Sequence, residues 1–186
     1  SLLARCDIAA VGVRDSGREE VAGMFSSAST DREHSAFVLD GDDLVGYLWI
    51  EQDATAAETW VDAYADPERF TREIIAAGLA HGLRVGRAVQ AAHAPDAAWT
   101  VRSGSFGSDR ALVEGLQAAG FECVRRFYRM RIDLATSALP DVAPPLPDGA
   151  VLVNARTDDE RRRLYAVQQE SFADHWNHTP RSYDEY

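Results

Sequence analysis

The fold of this chain is decided by residues 108–134, which begin Ser-Asp-Arg-Ala-Leu-Val-Glu-Gly-Leu-Gln-Ala-Ala-Gly-Phe and continue Glu-Cys-Val-Arg-Arg-Phe-Tyr-Arg-Met-Arg-Ile-Asp-Leu. In the first part, Leu112, Leu116 and Ala119 have the i, i+4, i+7 spacing of one buried helix face. Ser108 is suited to cap this helix, and Gly120 is suited to end it in the left-handed conformation. The spacing therefore predicts a short amphipathic helix that stops at Gly120.

From Val124 to Leu134 the apolar period changes to two, with four arginine and aspartate side chains on the opposite face. This alternation predicts a long strand that is buried on one side. A helix ending in Ala-Gly-Phe before such a strand resembles the closing helix and strand of the GNAT superfamily of N-acyltransferases. The resemblance implies a mixed α/β (α+β) fold, with a central sheet flanked by helices, and the use of acetyl-CoA or another acyl-CoA.

Upstream residues give an alternating order of strands and helices. Residues 37–47, Phe-Val-Leu-Asp-Gly-Asp-Asp-Leu-Val-Gly-Tyr, predict a hairpin and resemble the second and third GNAT strands. Asp66 can cap the following helix, and Pro67 fits its first turn. The elements predicted before residue 108 are a strand at Cys6–Arg14, a helix at Arg18–Ser27, the hairpin at Ala36–Ile50, a strand at Thr59–Ala65, a helix from Glu68 to near Gln90 and a strand at Ala98–Gly104.

The chain divides into three predicted regions: a GNAT-like domain at residues 1–134, a linker at 135–149 that holds four of the seven prolines, and the start of a second similar unit at 150–186. In the second unit, Ala150–Ala155 predicts a strand, and Thr157 with Glu160 predicts a capping box before a helix. The segment Phe172-Ala-Asp-His-Trp resembles a Phe-x-x-His-Trp segment of tandem GNAT proteins, the group to which mycothiol synthase belongs.

The resemblance also predicts which unit carries the chemistry. GNAT enzymes bind the CoA pyrophosphate on helix-terminal amides in a glycine-rich loop, and those glycine positions fall here at about Glu73 and Ile75. A tyrosine that commonly protonates the departing thiolate falls at Leu116. The first unit is therefore expected to contain neither catalytic nor cofactor-binding residues, and acyl-CoA is expected in the second unit.

Few residues stand out as candidates for a site. His175, Trp176 and Tyr183 could line an acceptor pocket, and packing between the two units is an equally good interpretation. Asp31 with His34 could supply a base or form a solvated loop. His175 and His178 have the spacing of two metal ligands, but a zinc site needs three or four, so no metal is predicted.

Composition restricts the partners. The formal charge of −11 opposes non-specific nucleic-acid binding and favours a cationic acceptor such as a small-molecule amine. No apolar run reaches the roughly 20 residues of a membrane helix, and the first residues do not resemble a signal peptide, so a cytoplasmic protein without membrane attachment is expected. The two cysteines are expected to be buried thiols, and a homodimer is possible on sequence grounds.

Two functions of different classes remain open. One is N-acyl transfer from acyl-CoA to an amine by a tandem GNAT protein whose catalytic second unit is largely missing from this sequence. The other is a non-catalytic binding or assembly module that keeps the fold.

Overall fold

The computed structural model of the chain describes residues 1–130, 132–136, 138, 145–175, 180 and 182–185. These residues form two compact units, Ser1–Arg126 and Phe127–Tyr186. The first unit is mixed α/β. Its elements in chain order are α1 (Leu2–Val11), α2 (Arg18–Ser26), β1 (Ala36–Asp40), β2 (Asp43–Asp53), β3 (Glu58–Ala65), α3 (Thr71–His93), β4 (Thr100–Arg102) and α4 (Arg110–Ala118).

The four strands form one mixed sheet in the order β1-β2-β3-β4. The first three strands are antiparallel, and β4 pairs parallel to β3 through Glu58↔Thr100, Thr59↔Val101 and Trp60↔Arg102. The predicted hairpin is confirmed, and so is the predicted strand at Thr59–Ala65, which lies beside the strand that follows Trp99. Among the described strands β4 is an edge rather than a central strand.

Helix α3 covers one face of the sheet, and its glycines set the distance. A Cβ atom on Gly82 would lie 2.7 Å from Cγ2 of Val61, and one on Gly86 would lie 2.8 Å from Cγ2 of Val101. Since such distances are too short for real side chains, only glycine permits this packing. The core beneath the helix consists of Val45, Leu48, Ile50, Val61, Ala63, Ala65, Ile74, Ile75, Leu79, Val85 and Leu112.

Helix α3 is unbroken but starts later than predicted. Its first residue is Thr71, and Phe70 before it is exposed. The Asp66 carboxylate accepts the backbone N–H of Glu68, and it is the Asp66 carbonyl that accepts the Thr71 hydroxyl. Asp66 therefore fixes the turn before the helix rather than the helix terminus itself.

Helix α4 agrees with the prediction except at its cap. Asp109, not Ser108, is the N-cap, and its side chain accepts the backbone N–H of Leu112. Leu112 is buried, Leu116 packs against the core, and Gly120 has a φ of +88° after the helix.

Three predicted strands are wrong. Cys6–Arg14 overlaps helix α1 and the turn after it. The described residues of Val124–Leu134 form no strand, and their apolar side chains are exposed, Met130 by 91%. Ala150–Ala155 also forms no strand, with Leu152 exposed by 89%.

The second unit contains helix α5 (Asp158–Ser171) and a short 3-10 helix at Tyr183–Glu185. The predicted capping box is confirmed, because the Thr157 hydroxyl accepts the backbone N–H of Glu160 while the Glu160 carboxylate accepts that of Thr157. Residue 137 and residues 139–144 of the predicted linker lie outside the described residues.

Candidate functional site

A cavity of about 630 Å³ lies beside the carboxyl half of β3. It forms because β3 pairs with β4 only as far as Trp60, whereas β3 itself continues to Ala65. The half of β3 that extends beyond β4, helix α1, the start of α3 and the segment from Gly104 into α4 supply its walls. The exposed side chains of Arg72 in α3 and Glu114 in α4 form an ion pair at 2.7 Å.

Helix α1 is attached to the end of β3 by two side chains. Arg5 donates to the Asp66 carboxylate at 2.6 Å, and the Cys6 thiol donates to the carbonyl of Ala65 at 3.2 Å. Burial acts to raise the pKa of Asp66, but the Glu68 N–H and the Arg5 guanidinium hold it below its ordinary value. The Arg5 to Asp66 pair is therefore ionised at neutral pH.

Cys6 lines the cavity without being a nucleophile. Burial raises the pKa of its thiol to about 11, and the neighbouring carboxylates, Asp109 foremost, add to the rise. Since the thiolate is the reactive form, this cysteine is inert at neutral pH. Cys123, in contrast to the prediction, is exposed.

Asp62 is one of three aspartates on the cavity wall, with Asp7 and Asp109. It is partly buried, it accepts the Gly104 backbone N–H at 3.3 Å, and among the described residues no cationic side chain pairs with it. Burial raises the pKa of Asp62 to about 6; the Gly104 N–H opposes this rise, and the negative charge of Glu51 adds to it. The carboxylate can therefore bind a cation or exchange a proton near neutral pH.

Aromatic side chains surround Asp62 on the sheet face opposite α3. Tyr64 lines the cavity and stacks on Tyr47 at 6.1 Å between ring centroids, and Tyr47 stacks on Phe37 at 5.2 Å. Burial raises the pKa of Tyr47 to about 12 and raises that of Tyr64 as well, with the charge of Asp62 adding to both. Both tyrosines are neutral, so their rings offer electron-rich faces to a cation.

Asp31 and His34 do form a pair, on the other face of the sheet. The His34 Nδ1 lies 2.9 Å from the Asp31 carboxylate, which also accepts the amide of Gln52. Thr59, fully buried, donates to Gln52 at 2.7 Å and accepts the indole N–H of Trp99 at 2.9 Å. Burial acts to raise the pKa of Asp31, but the hydrogen bonds from Gln52 and His34 hold it below its ordinary value. These hydrogen bonds connect the segment before β1 with strand β2, strand β3 and the loop before β4.

The positions compared with the GNAT cofactor loop lie inside α3. Ile75 is 2% exposed and belongs to the core, whereas Glu73 is exposed in the first turn. The helix start has no side-chain cap, so its first N–H groups are open, but it lacks the glycines that let phosphates approach. The residues at this helix start do not fit a CoA pyrophosphate in the GNAT manner.

The proposed acceptor residues of the second unit are not brought together. Tyr183 donates to Asp158 at 2.8 Å and packs under Arg162, both in the first half of α5. His175 stacks against Phe172, which follows the last residue of that helix. Trp176 and His178 lie outside the described residues. Tyr183 and His175 therefore contact opposite ends of α5.

Among the described residues, no group of three or more His, Cys, Asp or Glu side chains is placed to hold a metal ion, and no helix has the length and apolar character required to cross a bilayer. No protein-family model and no curated protein matches the sequence.

Sequence reasoning missed Asp62, although a signal was present. Trp60, Asp62 and Tyr64 alternate with the buried Val61 and Ala63 along β3. An acid between two aromatic residues on one strand face is typical of a cation-binding surface. The cavity beside it could not be read from the strand, because it depends on where β4 stops pairing.

Proposed function

We propose that this chain belongs to an N-acyltransferase of the GNAT type and that its first unit holds the amine acceptor, as an ammonium ion, at Asp62. The observation that carries the proposal is a carboxylate without a cationic partner on the wall of a cavity of about 630 Å³. An ammonium ion would supply the missing charge. The chain's net charge of −11 would also attract such a cation.

The chemistry available to Asp62 follows from its environment. Above about pH 6 its carboxylate is ionised and can hold the ammonium group by a charge-assisted hydrogen bond. The same oxygen can accept a proton from that nitrogen, which leaves the amine with a free lone pair. A neutral amine is the nucleophile that acyl transfer to nitrogen requires.

The acyl donor is not assigned to the first unit. Acyl-CoA supplies a thioester carbonyl, but Glu73 and the buried Ile75 leave the start of α3 without the glycines that a CoA pyrophosphate needs. This arrangement supports the expectation that acyl-CoA binds in the second unit. It equally supports the alternative function, a module that binds amines without transferring an acyl group.

Calorimetric titration of the full chain with n-butylamine at pH 8 tests the amine site. The expected result is saturable binding that Asp62→Asn abolishes and Asp42→Asn leaves unchanged. Asp42 is a matched control because it lies exposed in the turn between β1 and β2, away from the cavity. Binding that survives in the Asp62 variant would refute the assignment of this site.

A thiol-release assay with acetyl-CoA then separates the two functions. Amine-dependent release of CoA that is lost in Asp62→Asn supports the transferase. Amine binding without any CoA release supports the binding module.

A further inference from the structure

The cavity beside β3 has an apolar inner wall. Ile75, Leu112 and Ala63 line it and are buried members of the hydrophobic core. Ala111 of α4 also lines it and packs against that core. The exposed polar residues of the lining are Ser105, Ser108 and Arg110. The cavity therefore extends from solvent to the core, and its inner part favours an apolar group, because contact there removes apolar surface from water.

Two of the three aspartates on the wall are used by the protein's own backbone. The Asp7 carboxylate accepts the N–H groups of Asp15 and Ser16, at 3.0 and 2.8 Å. The Asp109 carboxylate accepts the N–H of Leu112 at 3.0 Å and so caps helix α4. Both carboxylates therefore have a structural use that does not depend on a ligand.

Asp62 differs from these two acids. Among the described residues it accepts the Gly104 N–H, in a long contact of 3.3 Å, although a carboxylate offers about four acceptor sites. Arg72, a cation of the lining, pairs with Glu114 instead. The Cys6 thiol on the wall is neutral, because burial raises its pKa to about 11. Asp62 is therefore the group that favours a cationic head, and the inner wall favours an apolar body.

We propose that the amine acceptor held at Asp62 is a hydrophobic primary amine whose hydrocarbon body packs against Ile75, Ala111 and Leu112. This inference rests on the proposed amine site and narrows its substrate class. A second charged group in place of the hydrocarbon body would lose its hydration against these side chains, which cannot form hydrogen bonds to it. The site therefore favours an alkylamine over a diamine or an amino acid of similar size.

Calorimetric titration of the full chain at pH 8 with ethylamine and n-hexylamine tests the proposal. Both ligands carry the same ammonium group, and they differ by four methylene groups. Each buried methylene group contributes about fourfold in affinity, so n-hexylamine should bind on the order of 100-fold more tightly, with a stoichiometry of about one per chain. 1-Hexanol, which has the hydrocarbon body without the ammonium group, should bind about tenfold or more weakly than n-hexylamine, because it lacks the hydrogen bond between two charged groups.

Substitutions in the wall locate the hydrocarbon body. Ala111→Leu fills the space beside Ile75 and should weaken n-hexylamine binding about tenfold or more while changing ethylamine binding by less than about twofold. Ala80→Leu is the matched control, because Ala80 is exposed in α3 and does not line the cavity. Ala10→Leu, on the wall that α1 supplies, is a second variant that narrows the cavity if Ala111→Leu does not fold. Far-UV circular dichroism of each variant establishes that it is folded.

The outcomes separate this inference from the proposed function. Equal affinity for ethylamine and n-hexylamine, or an n-hexylamine affinity that neither Ala111→Leu nor Ala10→Leu changes, overturns the hydrophobic substrate class while the amine site at Asp62 stands. Binding of n-hexylamine that equals that of 1-hexanol and survives Asp62→Asn overturns the amine site, and this inference with it. Absence of binding by every amine also overturns both.

Discussion

Replacement of Gly82 by alanine tests the packing that positions the sheet. The new Cβ would lie 2.7 Å from Cγ2 of Val61, and Val61 is fully buried with a branched side chain that has no space to move into. Forcing a methyl group into such a core typically costs about 1–3 kcal/mol. The alanine also stabilises the helix by about 1 kcal/mol relative to glycine, so the expected net loss in unfolding free energy is about 0–2 kcal/mol.

Gly23 provides the matched control, because it lies inside helix α2 and a Cβ there would meet nothing within 4 Å. Gly23→Ala should therefore raise the unfolding free energy by up to about 1 kcal/mol. Urea unfolding followed by circular dichroism at constant temperature measures both variants. If Gly82→Ala proves as stable as Gly23→Ala, the close approach of α3 to β3 is wrong.

Three further perturbations have expected outcomes. Asp62→Asn should raise the unfolding free energy at pH 8 by up to about 3 kcal/mol and change it little at pH 4, as measured by urea titrations at both pH values. The folded pKa of Asp62 is raised to about 6, so the ionised carboxylate destabilises the fold increasingly as pH rises from about 4 to 6. Thr157→Ala should destabilise helix α5 by about 1 kcal/mol through loss of the capping box with Glu160, seen as reduced helicity on heating; an unchanged melting curve would contradict the cap. Arg102→Ala should lower the unfolding free energy by about 3 kcal/mol, because Glu58 is buried at 6% exposure and would lose its counter-charge. A loss below about 1 kcal/mol would mean that solvent reaches Glu58.

The sheet was predictable where its signals were local. The Asp-Gly-Asp turn and the flanking apolar residues defined the hairpin of β1 and β2, and Gly41 has the expected positive φ of 62°. The cap at Thr157 was predictable for the same reason, since a capping box needs residues only three positions apart.

The glycines in α3 show where prediction from local sequence signals fails. Gly78, Gly82 and Gly86 would each weaken an isolated helix. In the structure they lie four residues apart on the face that packs against the sheet, where a Cβ on Gly82 or Gly86 would collide with Val61 or Val101 and one on Gly78 would lie 3.3 Å from the Cβ of Ala63. A sequence pattern cannot distinguish these two uses of glycine, because the partner strand is distant in the chain.

Two of the three wrong strands share a physical cause. The alternation in Val124–Leu134 and the apolar run at Val151–Val153 describe side-chain faces, but a strand also requires backbone partners on a neighbouring strand. None of the described residues provides that pairing here, and the apolar side chains remain exposed. Alternation is therefore necessary for a half-buried strand without being sufficient.

Asp62 shows why a candidate site can be less predictable than the fold around it. A strand residue with a raised pKa lowers stability at neutral pH, so nothing in the packing of β3 calls for an acid at this position. Its environment is created by long-range features: β4 stops pairing after Trp60, and helix α1 is attached to the end of β3 through Arg5 and Asp66. Under the proposed function a bound ammonium ion would offset the cost of this carboxylate, because binding would favour the ionised form and recover the stability that burial removes.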